Sequence, residues 1–251
     1  MKALLAGHPG HELRVHGWMQ QNRPLVFVLT DGSGGAGIPR INSTAGILER
    51  AGCESGSIFG RYRDREVYES VLHGRVSFFT KLAAELADAL VTHHVDVVAG
   101  DATEGYNSTH DVWRMVVDAA VARAERRMGK KITNYEFALV GRPDKCPSGC
   151  EDGAIFLHLD DAAVQRKLDE AKGYPELAAE VEKAIASVDV AAFATECLWP
   201  ARSWREPDAR PFYETYGELQ VKEGRYSSVI RHAEHIRPIA AALRIFAEEE
   251  R

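Results

Sequence analysis

Short apolar runs that alternate with helical patterns constrain the fold of this sequence more than any other feature. Four such runs end in polar or glycine-rich turns, at residues 2–6, 24–30, 95–99 and 135–140. Runs of this length and composition are typical of strands buried in a parallel sheet. Helical patterns lie between them, at about residues 12–22, 43–51, 74–92 and 110–128. The alternation predicts a mostly parallel sheet that is covered by helices on both faces.

The pattern changes after residue 140. A Pro- and Gly-rich segment (142–153) precedes a short predicted strand and two charged helices, and a further helical pattern lies within residues 225–250. The 251 residues are within the length of one α/β domain. We therefore predict a single Rossmann-like, three-layer α/β domain over residues 1–251. In it, residues 1–140 carry the site and residues 141–251 form a helical C-terminal extension over the carboxyl ends of the strands, where open sheets bind ligands.

Charge and composition argue against several kinds of partner. The formal net charge is -6, and the one basic run, residues 123–131, follows a helical pattern, so nucleic-acid binding is not expected. No apolar run approaches the ~20 residues that cross a bilayer, and the apolar N-terminal run is too short for a signal peptide. Four cysteines, of which only Cys146 and Cys150 are close in sequence, do not make a disulfide scaffold. We expect a cytoplasmic protein with a small-molecule substrate; homo-oligomer formation stays open.

The turn after the first predicted strand carries the residues most suited to chemistry. It contains His8, His11 and Glu12 at what is predicted to be the carboxyl edge of the sheet. Imidazole is a good ligand for zinc and similar divalent ions, and catalytic sites commonly use three protein ligands. Residues 11–16 (HELRVH) are similar to the H-E-x-x-H helix of metalloproteases, but His16 is one position too far along to share a helix face with His11. That class is excluded.

A second polar turn, residues 100–111, follows the third predicted strand and precedes a long helix. It contains His110, which the helix N-terminus would keep neutral and therefore suited to bind a metal. The neighbouring Asp111 could orient an imidazole or cap the helix. Because such clusters also mark ordinary helix starts, composition leaves a metal site and a plain helix cap both open.

Taken in order, these segments resemble the PIG-L/LmbE family of zinc-dependent deacetylases, which remove acyl groups from N-acylated sugars and related conjugates. The family's A-H-P-D-D-E motif matches residues 7–12 (GHPGHE), and its T-x-G strand end matches residues 30–32 (TDG). Its R-x-x-E motif matches residues 40–43 (RINS), with Ser for Glu, and its H-P-D-H motif matches residues 107–110 (NSTH). The ordered matches cover about the first 140 residues.

The resemblance implies that zinc, or another divalent metal, is held by His8, His11 and His110. In the family the second of these ligands is a carboxylate, so an imidazole replaces it here. The family's general base corresponds to Gly10, which has no side chain, and the histidine that polarises the scissile carbonyl corresponds to Asn107. The resemblance therefore implies an altered metal site without its usual base.

The activity implied by the resemblance is that of a zinc-dependent deacetylase or amidohydrolase, which cleaves an N-acyl (amide) bond of a polar small molecule with metal-activated water. Candidates for catalytic groups are Asn107, as a donor to the oxyanion, and four carboxylates that could replace the base: Glu12, Asp101, Glu104 and Asp111. Two alternatives stay open: a non-hydrolytic metalloenzyme on the same fold, and a non-catalytic small-molecule binding module.

Polar residues in the turns of the first 110 residues are candidates for substrate binding. They are Asp31, Arg40, Arg61, Asp64, Glu104 and Tyr106. His232 and His235 in the C-terminal segment could line the entrance to the site or pack at the surface, and the sequence does not decide between these roles.

Overall fold

The computed structural model describes residues 1–34, 37–202, 207 and 209–249, and its centre is one mixed sheet. The described strands are β1 (Lys2–Ala6), β2 (Leu25–Thr30), β3 (Glu54–Tyr62), β4 (Val97–Asp101), β5 (Thr133–Phe137), β6 (Ile155–His158) and β7 (Thr195–Pro200). Their order is β3-β2-β1-β4-β5-β7-β6. The first five are parallel, whereas β7 is antiparallel to both β5 and β6. The predicted α/β class with a mostly parallel sheet is confirmed.

Helices cover both faces of this sheet. They are α1 (His16–Asn22), α2 (Ile41–Ala51), α3 (Asp64–Leu72), α4 (Val76–Thr92), α5 (Ser108–Met128), α6 (Asp161–Lys172), α7 (Ala178–Ser187), α8 (Phe212–Lys222) and α9 (Arg237–Glu248). A 3-10 turn, His11–Val15, precedes α1. Among the described helices, none combines the length and the apolar composition that crossing a bilayer requires.

The alternation of side chains along the strands builds two separate cores. In β1, Ala3 and Leu5 face the core formed with α4, α5 and α9, whereas Leu4 and Ala6 face the core formed with α1 and α2. All of these residues are fully buried, since successive side chains of a strand point to opposite faces and both faces are covered. The result is a helix–sheet–helix sandwich with three layers.

Four elements, β3, β7, α3 and α8, are not predicted by the sequence pattern. Strand β3 lies at the sheet edge, and only Ile58 of its residues is fully buried, so it lacks the apolar run that identified β1 and β2. Strand β5 begins with the polar residue Thr133, which pairs with Val97. The strand therefore starts two residues before the predicted start. Edge strands and polar strand ends are poorly marked by hydrophobicity.

A buried carboxylate, that of Glu196, joins the C-terminal segment to the first helix. Lys167 of α6 lies 2.7 Å from the carboxylate of Glu196 on β7, and both side chains are almost completely buried. The two Glu196 oxygens also accept hydrogen bonds from the backbone N–H groups of Gly17 and Trp18, each at 2.8 Å. One carboxylate therefore fixes α6, β7 and the start of α1 relative to one another.

Replacing Glu196 with Ala should lower the free energy of unfolding by about 3–5 kcal/mol, since it leaves a buried ammonium and two buried N–H groups without their acceptor. Urea denaturation followed by circular dichroism measures this. Glu69→Ala is the matched control, because it removes an exposed ion pair with Arg65 on α3 and should change stability little. Equal losses for both variants would contradict the role assigned to Glu196.

Candidate functional site

Three imidazole rings lie together at the carboxyl edge of the sheet. His8 is in the turn after β1, His11 begins the following 3-10 turn, and His110 is in the first turn of α5, which follows β4. Strands β1 and β4 are parallel neighbours, with Leu5 opposite Gly100, so the turns that leave them meet. The ring centroids are 4.7–5.3 Å apart. The structure thus brings His110 together with His8 and His11, which are far from it in the sequence.

The spacing and chemistry of these rings suit a divalent metal ion. Three imidazole nitrogens at ~2.0–2.1 Å from one tetrahedral ion place the ring centroids about 5 Å apart. Two buried ring nitrogens, His8 Nε2 and His110 Nδ1, have no hydrogen-bond partner. Within the described residues, no group of three or more His, Cys, Asp and Glu side chains has its donor atoms placed to hold a metal.

Hydrogen bonds hold two of the histidines from behind, from Thr30 to His8 and from Asp101 to His11. His8 Nδ1 lies 2.7 Å from the carboxylate of Asp64 and 2.7 Å from the hydroxyl of Thr30. His11 Nδ1 lies 2.8 Å from Asp101 Oδ2. A carboxylate that accepts the Nδ1 proton fixes the tautomer and leaves Nε2 free as a ligand atom. The sequence predicts a substrate-binding role for Asp64 and no role for Thr30, because neither contact follows from spacing along the chain.

Burial keeps two of the imidazoles neutral. It lowers the pKa of His11, although the neighbouring Asp101 carboxylate acts in the opposite direction. Burial, together with the two other rings, holds the pKa of His110 well below its usual value. A neutral imidazole is the form that binds a metal or accepts a proton.

Two independent features of the structure favour glycine at position 10. Its φ of +100° is in the left-handed region, which glycine adopts without steric cost. A Cβ at this position would also lie 2.3 Å from Cδ1 of Leu177, a residue of the C-terminal segment. An apolar side chain therefore occupies the space beside position 10, where the resembled family has its general base.

The predicted catalytic carboxylates are engaged in hydrogen bonds that hold the backbone or a histidine. Glu12 is fully buried and accepts from Gly10 N–H and the Thr44 hydroxyl, each at 2.8 Å, and burial raises its pKa to about 7. Burial also raises the pKa of Asp111 to about 7; its carboxylate accepts two backbone N–H groups, those of residues 104 and 105, at 3.2 Å. Asp101 orients His11.

Unlike these carboxylates, Asn107 keeps hydrogen-bond donors free while its oxygen caps a helix. It caps α5, since its side-chain oxygen accepts a hydrogen bond from Thr109 N–H at 2.8 Å. The residue also lines the cavity beside the histidines. Its amide N–H₂ group is not used by the cap and remains available as a donor.

A cavity of about 720 Å³ extends from the histidines beneath the C-terminal segment. Of the predicted substrate-binding residues, Arg40, Asp64 and Tyr106 line it. The Arg40 Nε atom is buried and makes no hydrogen bond. The cavity therefore has a polar end near the histidines, with an unpaired guanidinium nitrogen.

The other three predicted substrate-binding residues are outside the residues that line this cavity. Arg61 forms an exposed ion pair with Glu85 of α4, with one N···O distance of 2.7 Å. Asp31 accepts a hydrogen bond from Ser33 N–H within its own turn. Glu104 accepts the backbone N–H groups of residues 139 and 140, which orders a loop of the cavity wall.

The residues that the sequence analysis missed come mainly from the C-terminal segment. Six apolar side chains of α6, α7 and the turn that joins them line the cavity: Leu168, Ala171, Leu177, Val181, Ala184 and Ile185. Their helical spacing was visible in the sequence, but which surface they face was not. His232 and His235 do not line the cavity; the backbone N–H of His232 donates to Glu214, and His235 Nδ1 contacts the backbone of Arg231.

Comparison with solved structures identifies this fold. The conserved protein TT1542 from Thermus thermophilus superposes with a TM-score of 0.54 at 15% identity, covering 83% of this chain and 98% of that one. A triple mutant of a deacetylase from the teicoplanin biosynthetic pathway superposes with a TM-score of 0.51 at 11% identity, covering 82% and 99%. No family model and no curated protein matches the sequence. The resemblance to PIG-L/LmbE deacetylases is thus confirmed at the level of the fold.

Gly10→Ala should lower the free energy of unfolding by roughly 2–4 kcal/mol, because left-handed strain and overpacking against Leu177 add together. Gly74→Ala is the matched control: its φ is +58°, but nothing lies within 4 Å of the added Cβ, so only the strain applies. Chemical denaturation of both variants, with and without Leu177→Ala, measures the difference. If Leu177→Ala did not reduce the cost at position 10, the proposed contact would be refuted.

Proposed function

We propose that the protein is a metal-dependent hydrolase that cleaves an N-acyl (amide) bond of a polar small molecule, such as an N-acetylated sugar or a related conjugate. The observation that carries this proposal is the cluster of His8, His11 and His110, with centroids 4.7–5.3 Å apart, in the wall of a cavity at the carboxyl edge of the sheet. The fold shared with a deacetylase supports the same type of reaction.

The metal would be held by His8, His11 and His110. Zinc suits this set, since neutral imidazoles are among its preferred ligands and three of them leave a position for water or substrate. When bound, the ion supplies Lewis acidity, which makes water more nucleophilic and polarises a carbonyl. Asp101 accepts the Nδ1 proton of His11, and Thr30 forms a hydrogen bond with Nδ1 of His8, so Nε2 of each ring is the nitrogen left for the metal.

Other residues of the chain bind and polarise the substrate. The free amide N–H₂ of Asn107 donates a hydrogen bond to the carbonyl oxygen as negative charge develops there. The unpaired Nε of Arg40 binds a polar or anionic group on the amine side of the substrate. Glu12 and Asp111 hold backbone N–H groups, so we assign them to ordering the two turns rather than to proton transfer.

The metal-site assignment is tested with His8→Ala and His110→Ala. Both variants should lose stoichiometric zinc, measured by mass spectrometry of the purified protein, and should release amine from N-acetylated sugars at least about a hundredfold more slowly. His93→Ala, an exposed histidine beyond α4, is the control and should change neither value. Full metal content and unchanged turnover in both site variants would refute the assignment.

Asn107→Asp separates the donor role of this residue from its capping role. Aspartate caps a helix as well as asparagine does, so the thermal midpoint should be almost unchanged. The variant has no amide donor, and kcat should fall by roughly 10²–10³ with a smaller change in KM. Steady-state kinetics and a thermal melt measure both effects. A variant with wild-type kcat would show that Asn107 only caps α5.

A further inference from the structure

We propose that the acyl part of the substrate is an aliphatic chain longer than acetyl, which lies along an apolar wall of the cavity. This inference rests on the proposed function and specifies its substrate class. The apolar wall is formed by Leu168, Ala171, Leu177, Val181, Ala184 and Ile185. A substrate of this class has a polar amine part at the Arg40 end of the cavity and a hydrocarbon chain at the other.

Helix α7 and the turn before it present an apolar stripe to the cavity. Leu177, Val181, Ala184 and Ile185 recur at the spacing of one helix face, which is the pattern of a helix that buries an apolar stripe in a core. Yet none of the described residues of α7 is fully buried, and this stripe lines the cavity instead. Apolar surface left open to water costs free energy, and a ligand that covers it recovers that free energy.

The apolar wall is continuous with the histidine cluster. Leu177 lies directly against Gly10, which is between His8 and His11 in the chain. A carbonyl placed at the histidines therefore has the wall immediately beside it. A carboxylate at position 10 would put a charge at the start of the wall, and glycine leaves that surface apolar.

The size of the cavity and the pairing of Lys167 also favour a longer acyl chain. The cavity of about 720 Å³ has the volume of sites that enclose drug-sized ligands, whereas an acetyl group would leave the wall uncovered. The ammonium of Lys167, which lines the cavity near Leu168, is bound by Glu196 and the Arg14 carbonyl, at 2.7 and 3.0 Å. It therefore does not present a free cation to the wall.

The test compares N-acetyl-, N-hexanoyl- and N-decanoylglucosamine in amine release and in calorimetric binding. Each methylene that the wall buries should improve kcat/KM and Kd roughly fourfold, until the wall is filled. Ala184→Glu places a carboxylate on the wall and should reduce the decanoyl-to-acetyl ratio of kcat/KM at least about tenfold. Ala179→Glu, on an exposed position of the same helix, is the matched control and should keep the wild-type ratio.

The outcomes separate this inference from the proposed function. If acetyl and decanoyl compounds are cleaved and bound equally well, or if Ala184→Glu and Ala179→Glu behave alike, the apolar subsite is refuted and the amide hydrolase stands. If binding strengthens with chain length but no amide is cleaved at any length, the hydrolase is refuted and the subsite stands. The binding series on the unmodified protein keeps the inference testable even if Ala184→Glu does not fold.

Discussion

The carboxylate of Asp101 is the interaction on which the site depends most. It is at the end of β4, and its Oδ2 atom accepts hydrogen bonds from the backbone of Gly7, at 2.7 Å, and from His11 Nδ1, at 2.8 Å. A Cβ at Gly7 would lie 2.9 Å from that oxygen, so the close approach needs glycine. One buried group thus joins the turn after β1 to the end of β4, and the histidine cluster forms because these two strands are neighbours.

The turn of residues 7–12, which resembles the family motif, packs against the C-terminal segment at Gly10. A side chain at this position would need the space that Leu177 fills, so the missing base and the apolar wall are two consequences of the same packing. Loss of a proton acceptor should slow amide cleavage, but it also removes a charge that a hydrocarbon chain would have to pass. Both changes fit the proposed substrate, whose acyl chain is longer than acetyl.

The sequence predicted the parts of the structure that have a local signal. The apolar runs of β1 and β2 and the polar turns after β1 and β4 identified the sheet edge, and motif order selected the three histidines. It did not predict that Asp64 would contact His8, or that Arg61 would pair with Glu85, because both depend on the path of β3, in which only Ile58 is buried. Contacts between distant elements have no periodicity that one sequence can show.

The buried ion pair in the C-terminal segment explains how the apolar wall keeps its place. Helix α7 has no fully buried residue of its own, so hydrophobic packing alone leaves it weakly fixed. Its neighbour α6 is held by Lys167, whose ammonium is bound by Glu196 in the same interior that receives the first turn of α1. A buried pair of charges contributes little net stability compared with apolar residues of the same size, but it tolerates few alternative arrangements. We infer that it sets the position of α6, and with it the distance between the wall and the histidines, more closely than an apolar contact would.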